Sequence, residues 1–203
     1  MSWEQTPLCD SFDFMHYKAV HKHLFENLYD WAGKIRDVNI SKKGTHFCPA
    51  GEIEDNAERI FSRLRKFNFF KGLQKNAFRT EFIEFYVITN NLHPFREGNG
   101  RTQRIFLEQL AQNAGYELNF GTIDVDELMM ATILSAQGVT DQLTRLLKSS
   151  IKSAKPADDK VIIMPPVQKQ SLLEQLEDAK SEATKRNAEH NGFTQTKRNG
   201  RTR

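Results

Sequence analysis

His93-Pro-Phe-Arg-Glu-Gly-Asn-Gly-Arg-Thr-Gln-Arg104 places a base, a carboxylate, a glycine-flanked turn and two guanidinium groups within twelve residues. Upstream of it, Phe78, Phe82, Phe85, Tyr86 and Thr89 recur at helical spacing between Asn76 and Leu92. Pro94 disfavours helix at the residue before it, so His93 is expected at a helix exit, facing a cleft. Gly98-Asn99-Gly100 can adopt backbone angles that a Cβ penalises, and it runs into a second helical pattern, Arg101 to Ala114, closed by Gly115. The free N–H groups of such a helix start bind phosphate, aided by the positive end of the helix dipole. Arg101 and Arg104 are three residues apart, close enough in azimuth for both forks to serve one polyphosphate. Glu97 is a carboxylate among cations, suited to a Mg²⁺ that takes its remaining ligands from nucleotide phosphates and water. Each piece has a plainer reading: a helix-end histidine, an ordinary turn, a solvated acid, a wet helix face. Their coincidence in one segment favours a site that holds a nucleotide and moves part of it.

At these residues the chain resembles the Fic family, whose motif His-x-Phe-x-(Asp/Glu)-Gly-Asn-Gly-Arg-x-x-Arg is met at every fixed position, with Phe95 as the Phe. The similarity extends upstream through His21-Lys-His-Leu-Phe-Glu-Asn-Leu-Tyr-Asp-Trp-Ala-Gly-Lys-Ile-Arg36 and downstream through Leu110-Ala-Gln-Asn-Ala-Gly-Tyr116, covering His16 to Leu147. It implies a mostly α fold, a Fic-type helical bundle with a small β-hairpin flap over the active site. It also implies a protein adenylyltransferase. His93 is then the base that deprotonates a Ser, Thr or Tyr hydroxyl on a target protein, and the oxygen attacks the α-phosphate of ATP and expels pyrophosphate. In the same resemblance Glu97 holds Mg²⁺, Gly98, Asn99 and Gly100 form the anion hole, Arg101 and Arg104 grip the outer phosphates, and Phe95 anchors the loop. The chemistry is consistent from below, because phosphoryl-type transfer asks mainly for positioning and charge neutralisation. A neutral imidazole with an ordinary pKa of about 6.5 is a suitable base.

Val38 to Pro49 reads as two extended pieces around Lys43-Gly44. In the resemblance this is the target-docking flap, with Lys43, Gly44, Thr45, His46 and Phe47 at its tip and second strand, pairing strand to strand with the target segment. Without the resemblance, a surface hairpin whose Phe47 caps the core fits nearly as well.

Composition bounds the rest. With 38% hydrophobic residues the chain can bury one good core, and 27% charged residues with no long apolar run argue a soluble protein with no membrane span. The start, Met-Ser-Trp-Glu-Gln-Thr, is neither basic nor apolar, and Cys9 and Cys48 imply no disulfide framework. A bacterial cytoplasmic location is expected, with delivery into another cell left open. A net charge of +3 argues against nucleic-acid binding by the globular part. Helices are expected from His16 to Ala32, with Tyr17, Val20, Leu24, Leu28 and Trp31 on one face, from Gly51 to Phe67, from Val125 to Ala136, and from Thr140, as N-cap, to Ile151. Residues 1–151 form the expected Fic domain. Residues 152–203 form a C-terminal extension with a helix-prone stretch at Lys169–Arg186 and a basic tail from His190 to Arg203. His21 and His23 are two apart on a helix and make a poor metal pair.

Many Fic proteins carry an inhibitory (Ser/Thr)-x-x-x-Glu-(Gly/Asn) segment. The nearest match is Thr80-Glu-Phe-Ile-Glu84, followed by Phe85 where Gly or Asn is required. The expectation is a Fic toxin restrained by a separate small antitoxin, or a chain lacking a further part. By family analogy, type II topoisomerase subunits are candidate targets. The runners-up are a Fic-fold transferase using another phosphate donor, Doc-like kinase chemistry, which the intact Arg101-x-x-Arg104 argues against, and a non-catalytic nucleotide-binding module.

Overall fold

The computed structural model describes residues 11–42 and 44–153. Lys43, the helix-prone stretch at 169–186 and the basic tail at 190–203 lie outside the described residues. Six α-helices are present among the described residues: α1 (Phe14–Phe25), α2 (Ile53–Lys66), α3 (Lys75–Leu92), α4 (Asn99–Asn113), α5 (Val125–Ala136) and α6 (Asp141–Ser150). Two short antiparallel pairs accompany them: β1 (Ser41–Lys42) with β2 (Thr45–His46), and β3 (Tyr116–Glu117) with β4 (Lys152–Ser153). The architecture is a mostly α bundle with a small hairpin.

α3 is the central helix. From Phe85 to Leu92 every residue is buried, polar Thr89, Asn90 and Asn91 included, because this end of the helix is surrounded by others. It contacts α2, α4, α5 and α6, while α1 lies on α4 and α2. Its last turn therefore has little freedom, and His93 inherits that rigidity as the residue that ends it. Where α1, α2, α3 and α4 meet, Phe106 sets its ring edge-on to Tyr17 at 5.2 Å and to Phe61 at 5.8 Å. Such edge-to-face pairs add to the roughly 1.5–3 kcal/mol that burial of each ring contributes.

α1 departs from the expected helix. It begins where Asp13 accepts the His16 N–H at 2.8 Å, but it ends at Phe25 rather than running to Ala32. The following residues form successive turns, Leu28 is 67% exposed and Trp31 is only half-buried. The cause is visible in one bond: the Gly33 N–H donates to His21 Nδ1 at 2.8 Å. A continuous helix would carry Gly33 about 18 Å along the axis from His21 at 1.5 Å per residue, so the chain must fold back. Gly33 makes the return possible, with φ +79° and a missing Cβ that would stand 2.9 Å from Lys22 Cβ.

Of the other helices, α2, α3, α4 and α6 differ from their expected bounds by a residue or two. α5 matches its expected range and is capped by Asp124, which accepts the Glu127 N–H. Thr140 occupies the cap position of α6, yet its side chain makes no capping bond. Pairing of Lys152–Ser153 with Tyr116–Glu117 was not legible beforehand, since two-residue strands have no periodicity to read.

Candidate active site

The site is assembled at the C-terminal end of α3 and the N-terminal end of α4. His93 is the left-handed cap of α3, at φ 42° and ψ 60°, a conformation unusual for a residue with a Cβ. It is held there through its own carbonyl, which accepts Arg36 Nε at 2.8 Å. Its Nδ1 lies 3.1 Å from the Asn90 carbonyl oxygen. A carbonyl can only accept, so Nδ1 carries the proton and the neutral ring presents an unprotonated Nε2. Burial depresses the imidazole pKa to about 4, helped by the charges of Arg36 and Lys42 and opposed by the Asn90 bond and Glu97. The group is therefore a neutral proton acceptor across the physiological range.

Phe47 covers the ring, stacked at 3.7 Å and 16°. It follows β2 of the hairpin, whose register pairs Ser41 with His46 and Lys42 with Thr45. Gly44, at φ +80°, supplies the turn. His46 faces solvent, Thr45 is buried and its Oγ1 finds no hydrogen-bond partner among the described residues. Phe47 thus meets His93 and not merely the hydrophobic core.

Arg36 connects these parts. Only 1% exposed, it directs Nε to the His93 carbonyl, Nη1 to the Val38 carbonyl at 2.8 Å and Nη2 to the Cys48 carbonyl. Its backbone N–H donates to the Pro94 carbonyl at 2.9 Å. The root of the hairpin and the end of α3 thereby share one buried cation whose partners are neutral carbonyls. Burial lowers its pKa from the ordinary guanidinium value.

Beyond His93 the chain turns through Pro94–Gly98 and enters α4. Asn99 closes this turn: its Oδ1 accepts the Phe95 N–H at 2.8 Å and its Nδ2 donates to the Phe95 carbonyl at 2.7 Å. The Asn99 side chain is therefore committed to the loop, and what it can offer an anion is its backbone N–H. Gly98 stands at φ +80°, and a Cβ on it would lie 2.4 Å from the Phe25 ring. The first helical bond of α4 runs from the Thr102 N–H to the Gly98 carbonyl, so the N–H groups of Asn99, Gly100 and Arg101 precede the ladder.

Glu97 and Arg101 are exposed at the rim, and Arg104 is half-buried. The Arg101 guanidinium lies over the Phe25 ring at 4.5 Å, and neither arginine forms an ion pair among the described residues. No group of three or more His, Cys, Asp or Glu side chains able to hold a metal occurs among the described residues. A lone Glu97 beside an anion nest fits a cation that arrives with phosphate ligands of its own. Phe95 is fully buried, stacked on His21 at 3.8 Å and on Tyr17 at 5.9 Å. The structure brings together His93, Phe47 and the loop from Glu97 to Arg104; Lys43 lies outside the described residues.

Besides Arg36, two residues escaped the sequence reading as parts of the site. Gln103, buried in α4, donates to the Tyr86 carbonyl at 2.7 Å and to Thr89 Oγ1 at 2.8 Å, fixing α4 against α3. His21, fully buried, lies 3.0 Å by Nε2 from the Glu97 carbonyl. The only sequence signal for His21 was its spacing from Trp31-Ala-Gly33, which says nothing about a contact with residue 97.

A model described as the Fic/DOC family matches residues 11–111. The chain is 37% identical over 147 residues to the protein adenylyltransferase VbhT of Bartonella schoenbuchensis, an alignment covering 72% of this chain but spanning only 31% of that relative's length. It is 34% identical to a Salmonella typhimurium protein named "Probable protein adenylyltransferase Fic", covering 70% of this chain and 72% of that one. Among solved structures it is similar to BepC of Bartonella tribocorum with bound AMPPNP, with a TM-score of 0.71, 26% identity, and coverage of 75% and 80% of the two chains. It is also similar to the N-terminal Fic domain of a Bartonella quintana effector with bound ADP, with a TM-score of 0.71, 27% identity, and coverage of 75% and 79%.

Proposed function

The chain belongs to the Fic/DOC family, and on that premise we propose that it transfers AMP from ATP to a hydroxyl side chain of a target protein. His93 Nε2 takes the hydroxyl proton, the oxygen attacks the α-phosphorus, and the bond to the β-phosphate breaks to release pyrophosphate. The N–H groups of Gly98, Asn99 and Gly100 receive phosphate oxygens, and Arg101 and Arg104 serve the outer phosphates. Glu97 would hold Mg²⁺, which would supply charge neutralisation to the nucleotide phosphates. The hairpin, including Lys43 to Phe47, docks the target strand beside His93.

One observation carries this reading. The Asn90 carbonyl fixes the proton on Nδ1 of His93, which leaves Nε2 with a lone pair near a helix start whose Arg101 and Arg104 form no ion pair among the described residues. The adenylyltransferase names of relatives and the AMPPNP and ADP in similar structures agree with it.

Control by a separate antitoxin helix carrying Ser-x-x-x-Glu, its carboxylate reaching Arg104, belongs to the same reading. The pattern nearest to it in this chain is occupied elsewhere: Thr80 to Glu84 lies within α3, where Glu84 pairs with Arg63 at 3.0 Å.

The test is to incubate the full chain with α-labelled or γ-labelled ATP, Mg²⁺ and bacterial lysate. Label passing to protein only from the α-position, and lost on His93→Ala by on the order of 10²- to 10⁴-fold, is the expected result. Transfer from the γ-position would mean kinase chemistry, and no transfer from either would leave a nucleotide-binding module.

A further inference from the structure

Resting on that reading of the loop as a phosphate cradle, we infer that His21 is a positioning residue: through the Glu97 carbonyl it aims the Gly98 N–H at the bound nucleotide. The inference starts from two bonds to one ring. The Gly33 N–H points at His21 Nδ1 at 2.8 Å, and a backbone N–H can only donate. Nδ1 is therefore bare and the proton of the neutral ring sits on Nε2, which stands 3.0 Å from the Glu97 carbonyl oxygen and donates to it. The turn after α1 thus sets the tautomer of a histidine whose other nitrogen grips the loop before α4.

The consequence is stereochemical. No cis peptide bond occurs among the described residues, so the Glu97–Gly98 unit is trans, with its C=O and N–H pointing in opposite directions. With the carbonyl drawn to His21, the Gly98 N–H faces away from α1. Among the described residues it has no acceptor. It precedes the three unbonded N–H groups of the first turn of α4 and joins them as a fourth donor.

The ring itself cannot drift. His21 is fully buried, stacked on Phe95 at 3.8 Å and packed against Phe25 at 4.8 Å. Phe25 in turn sits under Gly98 and Arg101. One face of α1 therefore serves the cradle twice: His21 orients the peptide plane and Phe25 sets its depth.

His21→Gln and His21→Asn separate this role from simple packing. Both put an amide in the pocket, but only Gln reaches the position of Nε2; Asn reaches that of Nδ1. In ¹⁵N-labelled full-length chain, the residual dipolar coupling of the Gly98 N–H reports its orientation without any nucleotide. The coupling should be kept in His21→Gln and changed in His21→Asn, with thermal unfolding measured for both. AMPPNP with Mg²⁺ should move the Gly98 amide resonance in wild type and His21→Gln. His21→Asn should bind that nucleotide roughly tenfold more weakly, the scale of one lost hydrogen bond. The inference is overturned if the wild-type ring carries its proton on Nδ1, if the Asn variant keeps the wild-type coupling and affinity, or if Gln loses as much as Asn. A wild-type chain whose motif amides ignore AMPPNP would instead sink the nucleotide reading, while the couplings would still decide the part played by His21.

Discussion

Phe47 lies flat on His93, with ring centroids 3.7 Å apart and planes within 16°. One face of the imidazole is thereby closed to water, and the hairpin sets the environment in which that ring titrates.

The pH dependence follows from that cover. His93 titrates near 4 in the folded chain against an ordinary 6.5, so the unfolded chain holds the extra proton between those values. Stability should fall as pH drops from about 6.5 to 4, and His93 should stay neutral until the lower end. Phe47→Ala opens the ring to water and should raise its midpoint toward 6.5. NMR titration of the His93 ring protons measures this; a wild-type midpoint at 6.5, or no movement in the variant, contradicts it.

Arg36→Ala should destabilise the chain by about 3 kcal/mol or more, because the carbonyls of Val38, Cys48 and His93 lose their donors in a buried place. Arg36→Lys should recover only a minor part, since an ammonium cannot span the fork. Urea unfolding reads both, and a loss below about 1 kcal/mol would mean that the backbone holds this geometry unaided.

Gly98→Ala combines a positive φ with a Cβ 2.4 Å from the Phe25 ring. A cost of about 2 kcal/mol or more is expected, together with loss of nucleotide binding. Gly51→Ala, with nothing within 4 Å of the new Cβ, is the control that should change little. Equal melting temperatures for the two variants would count against the tight seat of Gly98.

Arg104→Ala should weaken ATP binding by roughly 1.5–3 kcal/mol, the worth of a hydrogen bond to a charged group, and weaken ADP binding much less. Calorimetric titration with both nucleotides decides it. Equal losses would place Arg104 away from the terminal phosphate.

What could be read in advance divides along a physical line. The helical spacing of apolar residues in α2 and α3 marked those helices because a periodic face must be buried wherever it docks. The hairpin was legible at Gly44, whose turn needs a positive φ. The end of α1 was not legible, because Leu28 and Trp31 kept helical spacing while the chain turned back to bond Gly33 to His21. Arg36 and His21 were visible only as members of a motif. The partners that tie them to the motif segment are backbone carbonyls more than 50 residues away in sequence, at His93 and Glu97, and a carbonyl has no sequence signature.

Asn99 ties both polar groups of Phe95 to its own side chain, so the turn from Phe95 to Asn99 is a closed ring of bonds. Fixing a free backbone costs about 1–2 kcal/mol per residue, and here that loss of freedom is taken when the chain folds rather than when a ligand arrives. In the proposed function a nucleotide would meet a cradle already shaped for it, and tight association would need less contact than with a loop that must order around its guest.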